Sequence, residues 1–164
     1  MRGHAAFDGK LVGRHHVGDR AHEMTLLKQY KSNRLWNINA NIVLADIVST
    51  GITALVIEAV YPYLAGRLLI VAATLLVDGT LSVAVFVLLH TYANRARGLR
   101  DLVRVQVHRW VLSPLHYLAG GTLQYGLLTL GVRPGVTVVV AYLSAVALVR
   151  TVHTLYGQKT GLFR

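Results

Sequence analysis

The chain contains no cysteine, which excludes disulfides, thiolate metal sites and cysteine nucleophiles and leaves the redox compartment open. Acidic residues are scarce, with seven Asp and Glu against seventeen Lys and Arg, a formal net charge of +10. Proline is rarer, at three, and two of these stand in short Gly-containing connections, "YPYLAGR" and "GVRPG". The short signatures of common catalysts are also missing. No HExxH, G-x-S-x-G, P-loop or Rossmann glycine fingerprint occurs, so metallohydrolase, serine-hydrolase and nucleotide chemistry have no local support. What the chain has in excess is apolar surface: 54% hydrophobic residues and a mean hydropathy of +0.47. A domain this apolar and this basic reads as an integral membrane protein with cationic edges.

Four windows of about 20 residues are apolar enough to cross a bilayer. They run from about Ala40 to Tyr61, Leu68 to His90, Val111 to Gly131 and Pro134 to Leu155. The two short connections force their flanking helices to be antiparallel neighbours. The expected fold is therefore an all-α integral membrane protein, four transmembrane helices arranged as two antiparallel hairpins. Residues 1–35 form a basic arm, 36–92 the first hairpin, 93–110 a basic amphipathic connection, 111–156 the second hairpin and 157–164 a tail.

Charge orients these spans. Fourteen of the seventeen cations fall in the arm, the middle connection and the tail, and the opposite side keeps only Arg67 and Arg133. By the positive-inside rule both termini are cytoplasmic, and the expected location is a prokaryotic cytoplasmic membrane. Residues 1–35 lack the apolar core of a signal peptide, and His4, His15, His16 and His22 match no standard metal spacing. "HEMTLLKQYKSNRLW" and "LRDLVRVQVHRW" both look amphipathic and both end in Trp, which suits a membrane interface. Each precedes a hairpin, and each hairpin ends on His-Thr followed by Gly-Leu, at His90 and His153. The chain thus reads as a tandem repeat, with the two histidines marking its return to the interface.

Ionisable groups inside the spans cost about 2.5–3.5 kcal/mol each on insertion scales, so they should face inward and pair. At about 1.5 Å per helical residue, Asp46, His116 and Arg150 fall roughly 7–8 Å to the cytoplasmic side of their span centres, with Asp78 near the midplane. These four are the candidate substrate-binding residues. The expected contact is Asp46 with Arg150, with His116 bridging. Thr74, Asp78, Ser82, Phe86 and His90 recur every four residues on one face and extend a largely polar inward stripe. The competing reading is that these groups only hold helices together.

"FVLLHTYANR" (Phe86 to Arg95) and "LVRTVHTLYGQKTGLF" (Leu148 to Phe163) resemble the signatures that close each hairpin in the GtrA-like family of small, basic, four-span membrane proteins. The resemblance spans about Leu26 to Phe163. It implies a role with polyprenyl-phosphate-linked sugars in cell-surface polysaccharide assembly, as translocator or glycosyltransferase accessory. Arg95, Arg97, Arg100, Arg104 and Arg109 would meet lipid phosphates at the interface, since the guanidinium fork matches phosphate oxygens.

The functional expectation is a non-enzymatic protein without cofactor that handles a lipid-linked or polar anionic substrate. Its partners would be anionic or polyprenyl-phosphate lipids and a homo-oligomer or larger membrane complex. Nucleic acid is not expected, because the cations flank spans. Two alternatives remain: a structural or accessory subunit whose buried charges are helix glue, and a haem-carrying subunit using His90 and His153.

Overall fold

Asn33, in an extended conformation, starts the first long helix by accepting a hydrogen bond from the Trp36 N–H at 3.2 Å through its side-chain oxygen. In the computed structural model, which describes residues 28, 30, 32–94 and 98–160, this helix is α1 (Arg34–Val60). A 3-10 turn at Tyr61–Tyr63 carries Pro62, and Gly66 supplies a φ of +99° that side-chain-bearing residues rarely adopt. Helix α2 (Arg67–Ala93) follows, then α3 (Gly98–Thr129) and α4 (Pro134–Lys159). Gly131, at φ +78°, and Pro134, the first residue of α4, make the last tight turn. Most of the N-terminal arm, Arg95, Arg97 and residues 161–164 lie outside the described residues.

The described residues are all helix and turn, without a strand. Cross-helix pairs give the directions. Ser82 of α2 meets Asp46 of α1 and Asp78 meets Ser49, so one chain rises as the other descends. The same opposition holds between α2 and α3, where Asp101 meets His90 and Gln124 meets Thr74. It holds between α1 and α4, where Glu58 meets Gly135. Each helix packs on its sequence neighbours, and α1 also packs on α4 and closes the bundle.

Three helical stretches are long and apolar enough to cross a membrane: Arg34–Tyr63, Arg67–Tyr92 and Pro134–Tyr156. Helix α3 is the exception to the expected four. It is a single helix of 32 residues that runs unbroken through residue 110. Its first turns carry Arg100, Asp101, Arg104 and Arg109, and its apolar part is diluted by His116 and Gln124. Pro114 lies inside it and has no N–H to give the Trp110 carbonyl; the Ser113 hydroxyl bonds the neighbouring Arg109 carbonyl at 2.9 Å.

Burial is inverted relative to a water-soluble bundle. Leu55, Leu68, Leu76, Leu88, Leu118 and Leu130 are each at least 70% exposed, while Asn41, Asp46, Ser49, Thr50, Thr53, Asp78 and Gln124 are buried. A lipid surround explains that distribution, because apolar side chains lose nothing there and polar groups must find partners inside. Two apolar clusters bracket the polar layer. One holds Ile38, Ile42, Ala45, Phe86 and Val105 near the termini; the other holds Ile57, Ile70, Leu128, Val138 and Tyr142 near the short connections.

Candidate functional site

Between the two apolar clusters, α1, α2 and α3 each contribute a charged side chain. Asp46 is buried and its Oδ1 receives two donors, the Ser82 hydroxyl at 2.8 Å and Arg109 Nη2 at 3.2 Å. Arg109 Nη2 also donates to Ser82 Oγ at 2.6 Å, closing a triangle of three side chains from three helices. Its Nη1 donates to Gln106 Oε1 at 3.2 Å, and its guanidinium carbon lies 4.4 Å from the centre of the Phe86 ring. Asp78, one turn away along the bundle axis, receives the Ser49 hydroxyl at 3.1 Å and the Thr50 hydroxyl at 3.4 Å. Both carboxylates are thus held by partners from this chain.

Two expectations are corrected here. The partner of Asp46 is Arg109, and Asp46 and Arg150 form no ion pair. Arg109, expected among the headgroup cations, is turned inward and only 9% exposed. The sequence carried a signal for this: Arg109 lies seven residues, two helical turns, before His116, on the face that continues through Gly120 and Gln124.

His116 comes from α3 and Arg150 from α4. Both lie near enough to the Asp46–Arg109 pair to feel its charges. His116 packs edge-on against Tyr117 and Tyr142, with ring centres 5.2 and 5.7 Å away. Arg150 differs from Arg109 in one decisive respect. Its Nε and Nη1 are shielded from solvent and have no hydrogen-bond partner. The Tyr142 hydroxyl, eight residues or about two helical turns earlier on α4, is likewise buried without a partner. Of the expected four residues, Asp46 is bonded to Ser82 and Arg109 and Asp78 to Ser49 and Thr50, while His116 and Arg150 form no hydrogen bond with either carboxylate.

The histidines that end the hairpins are buried in the bundle. His90 is 2% exposed and His153 is fully buried. His90 Nε2 lies 3.3 Å from Asp101 Oδ2, its Nδ1 lies 3.4 Å from Asn94 Nδ2, and its ring stacks on Phe86. Asp101 also pairs with Arg34, so α1, α2 and α3 are tied together at the end that holds the termini. Asn94 extends the network to Asn37 at 2.7 Å, and Asn41 receives the Tyr30 hydroxyl at 2.6 Å. Burial raises the Tyr30 phenol above its ordinary value, and the bond to Asn41 offsets part of that rise. Among the described residues no group of three or more His, Asp or Glu is positioned to hold a metal ion.

At the opposite end, Arg133 donates through Nε and Nη2 to Glu58 Oε1, and the Gly135 N–H donates to Glu58 Oε2 at 2.8 Å. This clasp caps the first turn of α4 and raises the Arg133 guanidinium above its ordinary value, because the Glu58 carboxylate favours the cation. A Cβ on Gly135 would stand 3.0 Å from the Ala54 carbonyl oxygen and 2.9 Å from Glu58 Oε2, so glycine is what permits this approach.

No protein-family model matches the chain, and no characterised protein or solved structure is significantly similar to it.

Proposed function

We propose that this protein is a four-span membrane protein, two antiparallel hairpins with both termini cytoplasmic, that receives the anionic head of a lipid-linked substrate beside Arg150. The observation that carries the reading is the Arg150 guanidinium, with Nε and Nη1 buried and unpartnered. A buried donor left unsatisfied costs about 1–3 kcal/mol, and more when charged. Arg109, the residue before Trp110 on α3, shows how this chain satisfies a guanidinium it uses for packing, with three side-chain acceptors and an aromatic ring. Arg150 has no such set, and a phosphate or carboxylate oxygen from a ligand would supply it. His116 adds a second polar group on the facing helix.

Helix α3 serves as the fourth span because it is as long as its neighbours, runs antiparallel to them and turns His116, Arg109 and Gln124 toward the interior. The cation bias puts the end holding both termini on the cytoplasmic side. The closing segments at Phe86 to Arg95 and Leu148 to Phe163 resemble those of the GtrA-like family, and the substrate class that fits is a polyprenyl-phosphate-linked sugar. The test is binding of a polyprenyl phosphate to the detergent-purified chain. Wild type should bind, and Arg150→Gln should lose binding while keeping its helicity and monodispersity. Equal binding by the variant sinks the site.

A second reading, a structural or accessory subunit of a larger complex, is favoured by the closed Asp46–Ser82–Arg109 triangle, which needs no ligand. Under it the chain would purify from native membrane only with partner chains and would bind no polyprenyl phosphate. The haem alternative loses support, since both ring nitrogens of His90 face hydrogen-bonding neighbours.

A further inference from the structure

One turn from Asp78, toward the short connections, each helix contributes a fully buried polar side chain: Thr53 from α1, Thr74 from α2, Gln124 from α3 and Tyr142 from α4. Ser49 bonds Asp78, and Thr53 and Thr74 each lie four residues further along their antiparallel helices, so these two are level. Gln124 Nε2 donates to Thr74 Oγ1 at 2.9 Å, which brings α3 to the same level. Thr53 and Tyr142 stand five and seven residues from the contact of Glu58 with Gly135, so their backbones differ in height by about 3 Å. The Tyr142 ring packs on Gly120, one turn before Gln124, and lies near enough to Asp78 to feel its charge.

This layer leaves three oxygens without a partner: Thr53 Oγ1, Gln124 Oε1 and the Tyr142 hydroxyl. The Thr74 hydroxyl gives its own proton to the Ile70 carbonyl at 2.8 Å, so toward Gln124 it can only accept. That fixes the amide, with Oε1 as a bare acceptor. Asp78, beside the layer, is 2% exposed, and its two hydroxyl donors, Ser49 and Thr50, both go to Oδ1. Of the other charges acting on Asp78, Asp46 and Arg109 already neutralise each other. The Asp78 carboxylate therefore has no cation of its own in a lipid surround, where an uncompensated charge is expensive. One carboxylate among neutral oxygens is a hard donor set, and a single positive charge balances it; a divalent ion would leave an excess. We propose that Asp78, Thr53, Gln124 and Tyr142 bind a monovalent alkali cation between the four helices. The site goes beyond the anionic ligand at Arg150 and does not depend on it.

The test is thermal unfolding of the detergent-purified chain in sodium, potassium or choline chloride at one ionic strength. Sodium or potassium should raise Tm over choline, by about 3–6 °C at ten times the Kd, and the gain should grow as alkali ion replaces choline. Thr53→Val and Tyr142→Phe delete oxygens that bond nothing in the chain, so in choline chloride both should unfold with wild type. In the alkali salt each should lose most of the gain, and Asp78→Asn should lose all of it. Arg150→Gln should keep the gain, which separates failure here from failure of the polyprenyl-phosphate site. Equal Tm in the three salts, or a gain that survives in both Thr53→Val and Tyr142→Phe, overturns the cation site and leaves the layer to buried water.

Discussion

Replacing Arg109 by Met removes the cation bonded to Asp46 and leaves a buried carboxylate with the Ser82 hydroxyl as its remaining donor. Three side-chain hydrogen bonds, at 2.6, 3.2 and 3.2 Å, disappear together with the contact to the Phe86 ring. Methionine fills most of the aliphatic volume, so the loss is electrostatic rather than a cavity. Breaking one side of a buried ion pair costs about 3–5 kcal/mol. Ordinary interhelical hydrogen bonds in membranes are worth nearer ~0.6 kcal/mol, so a result of that size would mean Asp46 is not carrying an unpaired charge. Arg150→Met removes a guanidinium with two unpartnered nitrogens and should cost under about 1 kcal/mol or stabilise, since an unsatisfied buried donor is itself unfavourable. At about 2–4 °C per kcal/mol for a chain this size, Arg109→Met should lower Tm by roughly 10 °C while Arg150→Met leaves it nearly unchanged. Reversible unfolding in mixed detergent micelles, followed by the fluorescence of Trp36 and Trp110, measures both. If Arg109→Met is no more destabilising than Arg150→Met, the assignment of one arginine to packing and the other to a ligand is wrong.

The double variant Asp46→Asn/Arg109→Met should be less destabilised than the sum of the two single changes by about 1–3 kcal/mol, which a double-mutant cycle reads directly. Gly135→Ala should destabilise by about 1–3 kcal/mol, because the new methyl meets the Ala54 carbonyl, which cannot yield. Gly79→Ala, whose Cβ would meet only the end of the Tyr117 side chain, should be the milder of the two in the same unfolding assay. The absence of cysteine makes topology directly testable: single cysteines at Tyr63 and Leu130 should react with an impermeant thiol reagent from one side of sealed vesicles, and cysteines at Lys28 and Lys159 from the other. Labelling of Leu130 and Lys159 from the same side would mean that α4 does not cross.

The helices and their turns were legible in the sequence because each signal is local. Pro62 and Gly66 in one connection, Gly131 and Pro134 in the other, and long leucine- and valine-rich stretches act within a few residues of themselves. The inward polar stripe of α2 followed from the four-residue spacing of Thr74, Asp78, Ser82 and His90. Partner choice did not follow. Depth along a span put Asp46, His116 and Arg150 at one level, but which cation reaches Asp46 depends on the rotation of α3 and α4 about their axes. That rotation is fixed by packing across the bundle, such as Tyr142 against Gly120 and Val105 against the Ile38 cluster. The same packing drew Arg109 inward from a stretch that reads as a surface connection, because α3 begins at Gly98 and carries its inward face without a break past Trp110. It also buried His90 and His153, whose positions at the ends of apolar runs suggested an interface. Composition alone determined that this chain hides its polar groups and shows its apolar ones; only the tertiary structure decided which polar group satisfies which, and left Arg150 without a partner of its own.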